Sequence, residues 1–185
     1  MRLFFAVEFD ESLKDAIARA IEKTGIEKPP WRWVEPHNFH ITLKFLGETP
    51  EDRVKPLVMS AAGAFRQMPP FQIQLGALGG FPSLRRPRVL FYEVTQGAGE
   101  LTALAERLDL ALYNDLAVER DRRPFRAHAT VARIKTPIDA RISGRLEAAP
   151  GVDHPPQIVD GVRLMRSQLR REGALYHVVK EIAFE

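Results

Sequence analysis

The sequence predicts an α+β fold of two lobes, each a mainly antiparallel sheet with helices packed outside and a cleft between them. Three observations predict it. Strand and helix patterns alternate with short connections, which favours helices segregated to one side of antiparallel sheets. The order strand, helix, strand, helix, strand occurs twice along the 185 residues. Two His-x-Thr-apolar segments, at 40–43 and 128–131, stand 88 residues apart, and the elements around them recur near the same offset. A period that long lies far above the roughly 20–50 residues of solenoid repeats, so it points to a duplication and not an array. Residues 1–185 are therefore read as a single domain built from two pseudo-repeated halves.

Arg2 to Phe9 (RLFFAVEF) is a β-rich run bounded by Asp10 and Ser12. Leu13, Ile17, Ala20 and Ile21 follow at amphipathic helical spacing, and Thr24-Gly25 with Pro29-Pro30 ends that helix. Trp31–Glu35 and Phe39–Leu46 read as two extended stretches separated by Pro36. A second helix is expected over Glu51–Phe65, kinked or started late by Pro56. Phe71–Leu75 alternates as a strand, and Gly76–Pro87 reads as a Gly/Pro-rich turn region. The second half repeats this plan. RVLFYEV at 88–94 is a strand, Leu101, Leu104, Leu108 and Leu112 mark a helix, and Pro124 precedes His128 as Pro36 precedes His40. Pro137 opens a short helical stretch, and a strand begins near Pro156, mirroring Pro70.

Composition narrows the function classes. Hydrophobic residues make up 45% and charged residues 28%, which excludes a disordered chain. With no cysteine, disulfide frameworks, thiolate zinc sites and cysteine nucleophiles are out of reach. The net charge of +3 permits a basic groove for an anionic ligand without requiring one. No apolar run reaches the ~18 residues of a membrane helix, and the start lacks signal-peptide order, so a cytoplasmic location is expected.

On a strand, alternate side chains share a face. His40 and Thr42 then project together with Lys44 beyond them, while Ile41, Leu43 and Phe45 point to a core. His128 and Thr130 project likewise, with Ala129 and Val131 inward. Two imidazole–hydroxyl pairs across a pseudo-two-fold groove suit displacement at phosphorus. One group takes a proton from the attacker while the other gives one to the leaving oxygen. Unperturbed imidazoles near pKa 6.5 can share those roles at neutral pH. A single His-x-Thr is more often a satisfied polar pair on a strand, and it is the matched second copy that favours chemistry.

Among the remaining candidates, Arg133 falls opposite His128 by strict alternation and reaches a phosphate only through a bulge or strand end. It reads equally as a phosphate ligand or a structural ion pair. Arg126 shares the His128 face and is a candidate for RNA phosphate or plain surface, while Lys44 reads as a solvated lysine. His37 and His40 would face opposite ways on an extended segment, so no metal site is expected. His154 reads as a loop residue and His177 as an interior or edge residue. Tyr176, Trp31 and Trp33 are candidates for packing or base stacking, and Arg85, Arg86 and Arg88 form a basic turn.

Taken together, RLFFAVEF, WVEPHNFHITLKFLGE (33–48), GGFPSLRRPRVLFYEV (79–94), RPFRAHATVAR (123–133) and the closing Leu164–Val179 stretch with its extra Arg171 resemble the 2H phosphoesterases. The likeness is to the bacterial and archaeal RNA 2′,3′-cyclic phosphodiesterases, also called 2′-5′ RNA ligases. It implies a bilobal fold, no metal or other cofactor, and hydrolysis of RNA 2′,3′-cyclic phosphate ends to 2′-phosphomonoesters. The same resemblance implies His40 as donor to the departing 3′-oxygen, His128 as acceptor for the attacking water, and Thr42 and Thr130 as holders of phosphoryl oxygens. The pattern His-x-Thr-x-x-Arg favours a site role for Arg133. Two further readings stand beside hydrolysis: 2′-5′ ligation by the same site, and a non-catalytic RNA-end binding module. The expected partner is RNA with a cyclic phosphate end, bound by a monomer.

Overall fold

The computed structural model describes residues 1–27, 29–170 and 173–184, so Arg171 lies outside the described residues. Its elements are β1 (Arg2–Glu8), α1 (Glu11–Glu22), β2 (His40–Glu48), α2 (Val54–Phe65), β3 (Phe71–Phe81) and β4 (Val89–Gln96). After them come α3 (Ala98–Leu116), β5 (His128–Arg133), α4 (Ala140–Glu147), β6 (Gln157–Val159), β7 (Gly161–Arg170) and β8 (Gly173–Ala183). Among the described residues these strands form two four-stranded antiparallel sheets, β2-β1-β7-β8 and β5-β4-β3-β6. The α+β, two-sheet expectation holds.

One topological feature goes beyond that expectation. β3 follows β1 and β2 in the chain but pairs with β4 of the other sheet, and β7, its counterpart at the repeat offset, pairs with β1. The first sheet is thus completed by β7 and β8 of the second half, and the second sheet takes in β3 of the first. A continuous core runs through both, from Leu3, Phe5 and Val7 of β1 to Leu90 and Tyr92 of β4 and Val131 of β5. α2 and α3 lie against each other, with α3 on β2 and α2 on β8. On the opposite side of β1, Phe4, Ala6 and Met165 form a small second cluster capped by Tyr176, and this is the side that carries His40. No helix among the described residues is long and apolar enough to cross a membrane.

Several local expectations shift. Trp31–Glu35 is not a strand; Trp33 makes a single bridge to Ala132, and the Val34 N–H donates to the Val131 carbonyl at 2.7 Å. Pro36 opens a 3₁₀ turn directly afterwards, which limits that pairing to one bridge. Helix α2 starts late, after a 3₁₀ turn at Glu51–Arg53, and Pro56 sits in its first turn, where its missing N–H has no intrahelical partner to lose. Gly76–Phe81 belongs to β3 and not to a turn. The glycine at 79 serves close approach: a Cβ there would lie 2.7 Å from the Phe91 ring of β4. Helix α4 begins at Ala140, three residues beyond Pro137, where the Asp139 side chain caps the Ile142 N–H at 2.7 Å.

Candidate active site

The two His-x-Thr strands lie side by side, one from each sheet. Their burial follows one pattern, with half-buried His and Thr alternating with fully buried apolar residues. Both then break phase at the same point. Ala6 pairs with Thr42 and Phe5 with Lys44, leaving Leu43 as an extra residue; Phe91 pairs with Thr130 and Leu90 with Ala132, leaving Val131. A β-bulge at each position places two successive residues inward and returns the next one to the histidine's side.

The bulges overturn two expectations and meet the condition set for a third. Lys44 is not solvated: it is 2% exposed, its ammonium donating to Asp109 Oδ1 at 2.6 Å and to the Glu119 carbonyl at 2.8 Å, with Asp121 at 3.1 Å. Phe45 is not in the core; it is 57% exposed, beside Phe4. Arg133 occupies the position in β5 that Phe45 occupies in β2, and so joins His128 and Thr130 on the wall of one cleft.

Each imidazole is held in the same way. His40 Nδ1 bonds the Asn38 carbonyl at 2.7 Å, and His128 Nδ1 bonds the Arg126 carbonyl at 2.7 Å. A carbonyl only accepts, so the proton sits on Nδ1 in both neutral rings and Nε2 is left as the working nitrogen. Two aromatic rings brace each one: Phe4 and Tyr176 at 5.1 and 5.2 Å from His40, Phe81 and Phe91 at 5.8 and 5.4 Å from His128.

The surroundings then differ. His40 Nε2 accepts from the Thr42 hydroxyl at 2.9 Å, while no side-chain bond engages His128 Nε2 or Thr130 among the described residues. Burial pushes the His40 pKa down to about 4 against the pull of the Asn38 carbonyl, and Arg133 and His128 lower it further. His128 is also lowered, first by burial and then by Arg126 and Arg133, with the Arg126 carbonyl opposing. The two imidazoles are therefore not the equivalent pair near 6.5 that the sequence suggests, and both are neutral in the free protein at pH 7. Arg133 bears on both rings and on Tyr176, which makes it the shared positive charge of the site.

Two adjoining clefts meet at Phe45 and Arg133. The first, about 770 Å³, is walled by Thr42, His128, Thr130, Phe81 and the arginines 120, 122, 123 and 126 of the segment before β5. The second, about 720 Å³, is walled by Phe4, Trp31, Trp33 and Tyr176 with Arg2, Arg32 and Lys135. Either volume suits a nucleotide-sized ligand. Arg126 lies 4.6 Å over the Phe81 ring and 3.7 Å from Glu93, so its side chain lines the first cleft while its carbonyl orients His128. Trp31, Trp33 and Tyr176 fall in the second cleft, the two tryptophans edge to face at 5.5 Å.

Other candidates lie elsewhere. Arg85 pairs with Glu147 of α4, and the 85–88 turn lines neither cleft. His37 is exposed on its turn, His154 bonds Ser12 from a loop, and His177 is exposed on β8. No group of three His, Asp or Glu among the described residues is placed to share a metal ion.

Sequence reasoning missed Lys44, Asp109 and Asp121 as a unit. Lys44 of β2 holds Asp109 of α3, and Asp109 also accepts from Arg120 Nε at 2.8 Å and the Asp121 N–H at 3.2 Å. That cluster ties the 117–127 segment, and with it the carbonyl that orients His128, to the His40 strand. Burial alone would raise the Asp109 carboxyl, but hydrogen bonds from Lys44 and Arg120 hold it below the usual range.

Comparison with known proteins converges on one family. A sequence profile described as LigT like Phosphoesterase matches residues 7–91. An RNA 2′,3′-cyclic phosphodiesterase of Aquifex aeolicus is 30% identical over 98% of this chain and 96% of its own, and one of Thermus thermophilus is 34% identical over 99% and 90%. Among solved structures, the Thermus thermophilus protein TT0787 superposes with a TM-score of 0.80 at 31% identity, covering 100% of this chain and 98% of its own. Escherichia coli LigT complexed with 3′-AMP superposes at 0.77 with 28% identity, covering 99% and 97%.

Proposed function

Because this chain belongs to the LigT-like phosphoesterases, the 2H family that includes the RNA 2′,3′-cyclic phosphodiesterases, we propose that it opens RNA 2′,3′-cyclic phosphate ends to 2′-phosphomonoesters with His40 as acid and His128 as base. The observation that carries this reading is the mirrored pair of imidazoles, each with Nδ1 fixed on the carbonyl two residues upstream and Nε2 left for proton transfer. Water attacks phosphorus and gives its proton to His128 Nε2. The bond from phosphorus to the 3′-oxygen breaks, and that oxygen takes the proton of His40 Nε2. The product carries a 2′-phosphate and a free 3′-hydroxyl.

The acid must be charged before the step, and His40 is neutral in the free protein. The bound phosphate anion supplies the missing stabilisation, since an opposite charge within a few ångström raises an imidazole pKa. Protonation also redirects Thr42. With a proton on Nε2 the ring becomes a donor, and the Thr42 hydroxyl is released to donate to a phosphoryl oxygen. Thr130, unengaged in the free protein, holds the opposite oxygen, and Arg133 neutralises the developing charge.

The whole chain acts as a single domain in this reading, with β3 of the first half in the second sheet and β7 and β8 of the second half in the first, and it works as a cytoplasmic monomer. The test is incubation of a nucleoside 2′,3′-cyclic phosphate with the protein in EDTA, with products separated by chromatography. A 2′-monophosphate is expected at an undiminished rate. A 3′-monophosphate would contradict the acid assignment, and no product at all would leave a non-catalytic RNA-end binder.

A further inference from the structure

Each of the two histidines has a glutamate opposite it in the neighbouring strand. Glu8 of β1 pairs with His40, and Glu93 of β4 pairs with His128, at the same place in the two sheets. Both lie on the histidine's side. Glu8 continues the row of Phe4 and Ala6, and Glu93 the row of Phe91, whose ring braces His128. Directly opposed side chains in an antiparallel pair have Cβ atoms roughly 4.5–5.5 Å apart. A carboxylate at that range ordinarily draws a proton onto an imidazole and holds it there.

Each carboxylate is instead held by a cation. Glu8 is held by the buried Lys14 of α1 at 3.0 Å and by Arg163 of β7. Lys14 also meets Glu11 at 2.9 Å, and Arg163 meets Glu181 of β8 at 3.1 Å. Gln157 of β6 fixes the end of β1, donating to the Glu8 carbonyl at 3.1 Å and accepting from the Asp10 N–H at 2.9 Å. In the other half Arg126 stands 3.7 Å from Glu93 in a more exposed pair. A lysine on a helix does in one half what an arginine on a loop does in the other, so the pairing follows the histidine and not the local packing. Each cation also lowers the pKa of its own ring, Lys14 that of His40 and Arg126 that of His128.

We infer that Lys14 is a positioning residue for the acid: by holding the Glu8 carboxylate it keeps His40 from forming a carboxylate–imidazolium pair in the free protein, so the ring takes its second proton when a phosphate anion arrives and not before. This rests on the acid role of His40 in the proposed function. An imidazolium stabilised by a permanent carboxylate is a weaker acid toward the departing oxygen. A proton taken up against the substrate's own charge is free to leave with that oxygen. The other groups that bear on His40 are Arg133 and His128 of β5 and Tyr176 of β8, and the variants below leave them unchanged.

The experiment is an NMR pH titration of the His40 ring in the free protein, its signals assigned by their loss in His40→Gln. Lys14→Met releases Glu8 toward His40 and should move the titration to higher pH. Glu8→Gln should move it to lower pH, and Lys14→Arg, which keeps the charge, should leave it near wild type. The kinetics should split accordingly. In Lys14→Met, kcat/KM for a nucleoside 2′,3′-cyclic phosphate at pH 7 should rise severalfold, because more of the free acid is charged. In the same variant kcat should fall, because the bound anion has already charged the ring and the acid is now weaker. A His40 titration unmoved in both Lys14→Met and Glu8→Gln would overturn the inference and leave the pair a tie between α1 and β1. Glu8→Gln keeps the side chain's shape and decides the matter should Lys14→Met not fold. The titration involves no turnover, so the two readings fail separately: hydrolysis retained by folded His40→Ala sinks the acid role, and an unmoved titration sinks the role of Lys14.

Discussion

The strand that carries His40 and the strand that carries His128 share a backbone and differ in what the backbone presents. Each fixes Nδ1 on a carbonyl two residues upstream, braces the ring between two aromatics and bulges three residues after the histidine. After the bulge they part. β2 continues with buried Lys44 and exposed Phe45, β5 with buried Ala132 and exposed Arg133. His40 ends enclosed and bonded to Thr42, while His128 faces an open cleft with Nε2 unengaged. A symmetric frame thus yields two imidazoles in different surroundings, and the displacement needs one of them charged while the other stays neutral, a difference that the bound phosphate has to supply at His40.

The largest effect should come from removing either histidine. General acid–base groups contribute roughly 10²–10⁴ each to rate. Since both act in one transfer, the double His→Ala variant should be little slower than either single one. Hydrolysis within a few fold of wild type by a folded single variant would break the comparison at its root.

Next comes Lys44, where the halves differ most. Lys44→Met leaves Asp109 buried beside Arg120 without its closest cation, and breaking a buried pair costs about 3–5 kcal/mol. Pairing it with Asp109→Leu should restore much of that stability in a denaturant titration. Activity should not return with it, because the segment bearing the Arg126 carbonyl has lost its tie to β2. Full recovery of activity in the double variant would show that the tie is purely structural.

Smaller, and specific to the enclosed half, is a pH dependence of stability. The folded His40 titrates near 4, below the ordinary 6.5, so between those values the unfolded chain binds the proton that the folded one refuses. Stability should therefore rise with pH through that window, with a slope of at most ~1.4 kcal/mol per pH unit, and level off above it. His40→Gln should flatten the rise. His128→Gln, in the more open half, should flatten it less, and the reverse order would contradict the assignment of the deeper burial to His40.

Much of this was legible from residue patterns. Alternation in HITL and HATV put each histidine with its threonine, and the common offset put the two pairs in equivalent strands. The bulges were not legible, because they arise from register across strands: Leu43 and Val131 are extra only relative to β1 and β4. For the same reason Lys44 read as solvated, since its partners Asp109 and Asp121 lie on α3 and the loop after it. The exchange of β3 and β7 was equally hidden. A strand pattern fixes which side chains face in but not which neighbour accepts the hydrogen bonds. Tyr176, more than 130 residues after His40 in the chain, reaches that ring only because β8 pairs with β7 and β7 with β1.

The smallest expected effect concerns Arg133, which stands where the two halves meet. Its charge lowers both imidazoles, so Arg133→Gln should raise both pKa values. In wild type, kcat/KM reports the free protein and should peak below pH 6.5, between the His40 and His128 values. In kcat, which reports the bound state, the alkaline limb should lie at higher pH, because the substrate anion stabilises the charged His40. Arg133→Gln should move the kcat/KM limbs toward higher pH, modestly because an exposed charge is screened, while also raising KM by loss of a phosphate partner. The limbs belong to the coupled pair and not to either ring, so the diagnostic is their common displacement. A higher KM with both limbs unmoved would make Arg133 a binding residue alone, and the difference between the two imidazoles would then rest on burial.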